Sequence, residues 1–302
     1  MTKESVKIIE TDVLIIGSGP AGYSAAIYTS RAGKSTVIIT GKTKGGLITT
    51  TGEIDNYLGL PDSSGMEMAK IFESHAKKFG AKQAKGEITS IIKEGDYFIS
   101  ELDSGRIIKS KAVIYATGSD PRKLGVPGEN SRGVSYCATC DGLMFENERV
   151  IVVGGGETAV EDALYLSEIC KSVDILVRGS SFRATEPVVQ KLISQPNVNA
   201  HMITSISEIT EKDGVVTGVR LAGGGEIEAD GVFIAVGQLP NSELAVRCDH
   251  VETFENNFIK GSTTEGFFIA GDVTDSNYRQ VIIAAGDGAK AGIDATSYLN
   301  TL

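Results

Sequence analysis

At 302 residues, 41% apolar and 23% charged, the chain is long enough for about two domains and too apolar to stay disordered. A formal net charge of −10 argues against nucleic acid as the main partner, because phosphate binding needs a basic surface. No apolar run approaches the roughly 18 residues of a membrane span. The opening MTKESVKIIETDVLIIG lacks a signal-type apolar region with a cleavage site, so a cytoplasmic location is expected.

DVLIIGSGPAGYSAA (Asp12 to Ala26) reads as a buried strand, the turn Gly17-x-Gly19-x-x-Gly22, and a helix; STVIIT, ending at Thr40, reads as the next strand. YFISELDSGRIIKS alternates polar and apolar residues around a Ser-Gly turn, as a hairpin does, and leads into the buried strand of KAVIYATG. After the Gly- and Pro-rich ATGSDPRKLGVPG the pattern repeats. RVIVVGGGETAVEDA (Arg149 to Ala163) carries Gly154-x-Gly156-x-x-Ala159, and SVDILV ends at Val177. The interval from Gly17 to Thr40 equals that from Gly154 to Val177. VVTGVRLAGGGEIEA is a second hairpin pattern, DGVFIAVG a second returning strand, and GFFIAGDV one more strand of the first unit. The expected fold is α/β: two Rossmann-like dinucleotide-binding domains with three-layer parallel sheets and β-meanders, the second inserted into the first. The predicted boundaries are 1–118 with 245–302 for the first domain and 119–244 for the second.

In such a turn the first glycine permits the tight bend and the second lets the backbone approach a pyrophosphate. The third, or an alanine, lets the helix sit close on the sheet. The pyrophosphate then lies on unpaired N–H groups at the helix N-terminus. Two matched turns imply two dinucleotides, most economically a flavin and a nicotinamide. The usual ribose-binding acid is missing from both units: no Asp or Glu lies between Gly17 and Gly46, and the second strand runs into VRGSSFRA. That absence, with Arg178 and Arg183, favours a 2′-phosphate and therefore NADPH.

Of the four cysteines, Cys137 and Cys140 form one close pair, in GVSYCATCDG; Cys170 and Cys248 are isolated and read as small buried hydrophobes. A closed zinc site needs four ligands, and His75, His201 and His250 are scattered along the chain. A structural staple here would close too small a loop to add much stability. Redox use is the strongest reading, since a Cys-x-x-Cys pair ahead of a helix can lower one thiol's pKa and thiolate is the attacking species. Asp141 reads either as the N-cap of a helix over GLMFENE or as a proton donor or acceptor to the thiols and flavin, and the two are compatible.

GSGPAGYSAA, KGGLITTTGEIDNY, ATGS, GVSYCATCDG, GGGETAVEDALYL, AVGQLPN and AGDVTDSNYRQVIIAAGDG occur in the order found in the low-molecular-weight thioredoxin reductases, class II pyridine nucleotide-disulfide oxidoreductases, which the chain resembles over nearly its whole length. The resemblance implies a tightly bound, non-covalent FAD on the domain built from the two chain ends. It also implies NADPH as electron donor on the inserted domain, a homodimer, and rotation of one domain against the other about crossings near 121–127 and 237–240. It implies a relay from NADPH through FAD to Cys137–Cys140 and on to thioredoxin. Cys140 is then the sulfur nearer the flavin, Cys137 attacks the substrate disulfide, and Asp141 is the acid and base. Implied FAD contacts are Gly17, Gly19, Pro20, Ala21 and Gly22 at the first turn and Gly41, Gly45, Gly46, Leu47 and Ile48 in the following loop. Asn56, Thr117, Gly118, Asp272, Arg279 and Gln280 complete that set. Implied NADPH contacts are Gly154, Gly156, Thr158, Glu161, Arg178 and Arg183, and Arg132 is an implied contact for the protein partner. No metal is implied.

Two departures stand out. Val177-Arg178-Gly179 replaces the family's common His-Arg-Arg, which removes one phosphate-binding arginine; a hydrogen bond to a charged group contributes about 1.5–3 kcal/mol. Leu47 replaces an amide side chain near the flavin. Relatives that keep the flavin–dithiol couple and change its partner are ferredoxin-fed reductases and dithiol oxidases. A non-enzymatic redox sensor is a third reading.

Overall fold

The apolar runs that open each glycine motif are continuous rather than alternating, the pattern of strands buried on both faces. The computed structural model describes residues 8–275 and 278–302. Ser276 and Asn277 of AGDVTDSNYRQ, and the part of the N-terminal reading that rests on residues 1–7, lie outside the described residues. The chain divides into two compact units. One runs to Asp120 and resumes at Leu239; the other is Pro121–Gln238.

In the outer unit, β1 (Ile8–Ile16) is followed by α1 (Pro20–Arg31) and β2 (Thr36–Ile39); α2 (Gly65–Lys78) leads to β3 (Lys82–Ala84), and β4 (Ile88–Glu94), β5 (Tyr97–Leu102) and β6 (Ile107–Tyr115) complete this stretch. The sheet order is β3-β2-β1-β6-β5-β4. β1 lies parallel to β2, with Val13 opposite Thr36, and parallel to β6, with Ile16 opposite Tyr115. β6 is long enough to serve two partners on its other side. Its first half pairs antiparallel with β5, and its last three residues pair parallel with the strand Phe267–Ile269. Alternate β1 side chains enter different cores. Val13 and Ile15 join Ala25 and Ala26 of α1 and Ala291 and Ala295 of the C-terminal helix Val281–Leu299. Leu14 and Ile16 join Ile91, Phe98 and Leu102 of the meander. α2 starts on a capping box, Ser64 with Glu67.

The inserted unit repeats this plan. Its elements are β7 (Val134–Ser135), α3 (Ala138–Asp141), β8 (Arg149–Val153), α4 (Glu157–Ser167), β9 (Ser172–Leu176), α5 (Glu186–Ile193), β10 (Val198–His201), β11 (Ile206–Lys212), β12 (Val215–Leu221), β13 (Glu226–Glu228) and β14 (Gly231–Ile234). The parallel sheet has the order β7-β14-β8-β9-β10. The meander β11-β12-β13 is here a separate antiparallel sheet. Val150 and Val152 pack with Ala159, Val160 and Ala163 of α4, whereas Ile151 and Val153 pack with Ile209, Val216 and Val219 of the meander. Helix, parallel sheet and meander make three layers in each unit. Each unit also closes on itself where the chain crosses: Asn241 N donates to Gly118 O at 3.0 Å in the outer unit, and Arg122 N donates to Gly237 O at 2.9 Å in the inserted one. Among the described residues no helix is long and apolar enough to cross a membrane.

His250 is buried in the outer unit's meander core. Its ring stacks on Phe267 with centroids 5.0 Å apart and meets Phe98 edge-on. Nε2 donates to Ile91 O at 3.1 Å, which leaves Nδ1 to pair with Thr264 Oγ1. Burial holds the imidazole's pKa below its usual value, against the opposing pull of the Ile91 carbonyl and Asp249. The unfolded chain therefore takes up this proton first, so stability is full above about pH 6.5 and declines as pH falls below it. The thermal midpoint of the protein should drop over that window, and His250→Gln should flatten the dependence. The first glycine turn gives a second expectation. At Gly17, with φ +114°, a Cβ would lie 2.1 Å from Ala116 O; at Gly19 it would meet nothing within 4 Å. Gly17→Ala should destabilise the protein by about 3 kcal/mol. Gly19→Ala should change stability by less than about 0.5 kcal/mol in the same denaturant titration.

Candidate active site

Both dinucleotide turns end on helices whose N-termini have no side-chain cap. Gly19 is the N-cap of α1, with Pro20 at the first helical position, and Gly156 is the N-cap of α4. Neither glycine's Cβ position is filled. Uncapped N–H groups facing open space form an anion site.

In the outer unit the residues expected to hold FAD converge on the start of α1. Ser18 Oγ donates to Thr40 O at 3.1 Å and accepts from Gly45 N at 3.1 Å, and Gly46 lies against Gly19. Gly41 opens this loop; Leu47 is exposed and Ile48 buried on the short turn Leu47–Thr50. Gly17 abuts Ala116 and Thr117, so Thr117 and Gly118 border the same turn. Gly271 lies against Ala21, which brings Asp272 to the first turn of α1. Asn56 Nδ2 donates to Gln280 Oε1 at 3.1 Å. Burial pushes Asp272 up to about 6, against the opposing pull of Arg279. Arg279 Nε is itself buried with no hydrogen-bond partner among the described residues. A buried guanidinium nitrogen without an acceptor is costly, and a phosphate oxygen relieves it. A cleft of about 880 Å³ lies beside the loop, lined by Thr40, Lys42, Lys44, Lys77, Lys82 and Lys85 with Glu73, so this part of an acidic chain is locally basic. The residues present fit a dinucleotide.

In the inserted unit Gly154 is pressed to Ala235, where a Cβ would lie 2.3 Å from the carbonyl oxygen. Arg183 N donates to Gly155 O at 2.7 Å, which draws the segment after β9 across the turn. Thr185 N and Oγ1 both donate to Glu157, in the first turn of α4, at 2.8 and 2.9 Å. Arg178 and Arg183 are exposed and make no ion pair among the described residues. Thr158 and Glu161 are exposed on α4. Val177 turns inward onto Gly155 and is 2% exposed. The geometry thus gathers Gly154, Gly156 and Arg183 at one turn, with Thr158 and Glu161 on the helix it opens.

Cys137 and Cys140 form a disulfide, with Cα atoms 5.3 Å apart. Cys137 is the half-buried N-cap of α3 and Cys140 is exposed within it. Gly142 follows the helix and packs closely on Tyr165 and Leu166 of α4 and on Ile169 just beyond it, where a Cβ would lie 2.9 to 3.2 Å from their side chains. Phe145 then covers Gly231 and meets Phe233 edge-on at 5.3 Å. The expected capping role of Asp141 is not what the structure has. Its carboxylate makes no cap bond to the turn Gly142–Phe145 and instead accepts a 2.6 Å bond from Ser135 Oγ.

Upstream, Glu129 accepts from Leu124 N, Gly125 N and Tyr136 Oη at 2.7, 2.8 and 2.8 Å. Burial pushes the Glu129 carboxyl up, but those donors outweigh it and hold its pKa below the usual value. Burial, then Glu129, push the Tyr136 hydroxyl well above its ordinary range. Arg132 is exposed on the same segment. Sequence reasoning singled out neither Ser135 nor Glu129. Ser135 stands inside the cysteine motif, but its role depends on a strand that returns at Gly231; Glu129 carries no local signal. Cys170 is buried, its thiol pushed up to about 11 by that burial, and Cys248 is half-buried against the outer core.

The pyridine nucleotide-disulphide oxidoreductase family matches residues 11–288. A thioredoxin reductase of Escherichia coli O157:H7 is 40% identical over 96% of both chains, and one of Bacillus subtilis is 38% identical over 96% of this chain and 95% of its own. The crystal structure of thioredoxin reductase from Streptococcus pyogenes superposes with a TM-score of 0.89 at 35% identity, covering 99% of this chain and all of that one. Twin uncapped glycine turns, a disulfide at the head of a short helix and likeness along nearly the full length agree: the chain belongs to the pyridine nucleotide-disulphide oxidoreductase family.

Proposed function

We propose that the chain is a thioredoxin-disulfide reductase that uses FAD and takes electrons from NADPH. The observation that carries this reading is the Cys137–Cys140 disulfide at the start of α3, with Asp141 beside it, in the unit that bears the second dinucleotide turn. The relatives named as thioredoxin reductases support thioredoxin, or a protein like it, as the electron acceptor.

FAD, when held at the first turn, supplies two-electron transfer between a nicotinamide and a disulfide. The residues that would hold it are Gly17 to Gly22, the loop Gly41 to Ile48, Asp272 and Arg279, for the reasons of fit given above. Two electrons and two protons convert Cys137–Cys140 to a dithiol. Deprotonated Cys137 attacks one sulfur of the substrate disulfide; that bond breaks, and the other substrate sulfur leaves and takes a proton. Cys140 then attacks Cys137, expels the second substrate thiolate, and restores the internal disulfide. Asp141 is the group beside the pair that can hold a proton during these exchanges. Residues 121–127 and 237–240 are the hinges of this scheme, and its setting is a cytoplasmic homodimer.

A second reading keeps the flavin–dithiol couple and changes the electron donor to ferredoxin. Val177 favours it: an apolar, inward-facing side chain and the bare Gly179 flank Arg178 where a 2′-phosphate would be bound.

Anaerobic titration of the holoenzyme separates the two. NADPH should bleach the flavin near stoichiometry, more effectively than NADH, and Arg178→Ala should weaken NADPH about tenfold while leaving NADH nearly unchanged. Bleaching by reduced ferredoxin with NADPH inert would select the second reading. Cys137→Ser should retain FAD and lose thioredoxin turnover; full activity in that variant would refute the relay.

A further inference from the structure

The peptide that carries the dithiol is tied at both ends to one hydroxyl. Ser135 Oγ accepts from Cys137 N at 3.0 Å and lies 2.6 Å from Asp141 Oδ2. A serine has one proton to donate. The carboxylate at 2.6 Å takes it in preference to the Cys137 carbonyl at 3.3 Å, because a charged acceptor makes the stronger bond. Ser135 is 4% exposed and lies on β7, which pairs in parallel with β14, Ser135 opposite Phe233. The hydroxyl is therefore fixed by the sheet, not by the loop it contacts. Neither sulfur takes part in the bridge, so opening the disulfide leaves it intact.

We propose that Ser135 is a positioning residue for the dithiol chemistry: from the sheet it holds the Asp141 carboxylate by Oδ2, leaving Oδ1 for the thiol proton, and it keeps the Cys137 backbone in step with Asp141 whether the disulfide is closed or open. This rests on Asp141 being the acid and base of the proposed reductase. Ser135 acts only through Asp141 and Cys137 and touches no reacting atom. Without that hydrogen bond the carboxylate loses its fixed orientation beside the pair.

The test follows the single-turnover reduction of thioredoxin by the pre-reduced holoenzyme for Ser135→Ala, Ser135→Thr, Asp141→Asn and the double variant Ser135→Ala/Asp141→Asn. Flavin content reports folding. Ser135→Ala should slow the step about tenfold. Ser135→Thr, which keeps the hydroxyl, should restore the rate. The double variant should be no slower than Asp141→Asn alone, because one effect runs through the other. A loss in Ser135→Ala that Ser135→Thr does not rescue, or that multiplies with Asp141→Asn, would overturn the proposal and leave Ser135 merely structural. So would normal kinetics in Ser135→Ala alongside a slow Asp141→Asn. An Asp141→Asn variant with wild-type rate would instead refute the acid–base assignment itself, and the role of Ser135 with it.

Discussion

The carbonyl oxygens of Ala116 and Ala235 occupy the space a side chain would need at Gly17 and Gly154. That exclusion sets the architecture of both units. With no side chain in the way, β1 runs beside β6 as far as Ile16 and Tyr115, and β8 beside β14 as far as Val153 and Ile234. The chain then turns sharply enough to launch α1 and α4 back across the sheet, with no side-chain cap on either helix. The ligand end of each unit follows from backbone contact alone, before any side chain is chosen to meet a nucleotide.

This is why so much of the protein could be read from its sequence. A continuous apolar run followed by glycines at fixed offsets has few other solutions, and the second copy at the same interval removes most of them. The hairpin patterns were equally plain, but their attachment was not. One meander continues the main sheet and the other stands apart, a difference set by β6 being long enough to pair with both β5 and Phe267–Ile269. The site divides in the same way. The cysteine pair and the glycine turns announce themselves locally. The partner of Asp141 does not, since a carboxylate before a short turn looks like a cap, and only the strand pairing of Ser135 with Phe233 puts a better donor in reach. Glu129 reads as a surface charge until the loop folds three donors around it.

The setting of the dithiol combines rigidity with access. Gly142 and Phe145 anchor the segment after the cysteines to α4 and β14, while Glu129 and Ser135 anchor the segment before them. Cys140, Leu143 and Met144 are nonetheless exposed. Exchange chemistry asks for both properties. The sulfur atoms must meet different partners in turn, yet the bond between them must re-form readily after each cycle, which a loose loop would do more slowly.

The hydrogen bonds that close each unit at the crossings bear on how the chain folds. The outer unit is assembled from segments separated by roughly 120 residues. While the intervening chain is unfolded, bringing those segments together means closing a very long loop. Once the inserted unit has folded, its ends are clasped by the bond from Arg122 N to Gly237 O, and the gap behaves as a loop of a few residues. On a logarithmic dependence of closure entropy on length, that change lowers the cost of joining β6 to the strand Phe267–Ile269 by about 1 kcal/mol. Folding of the inserted unit thus lowers the closure cost of the unit that surrounds it.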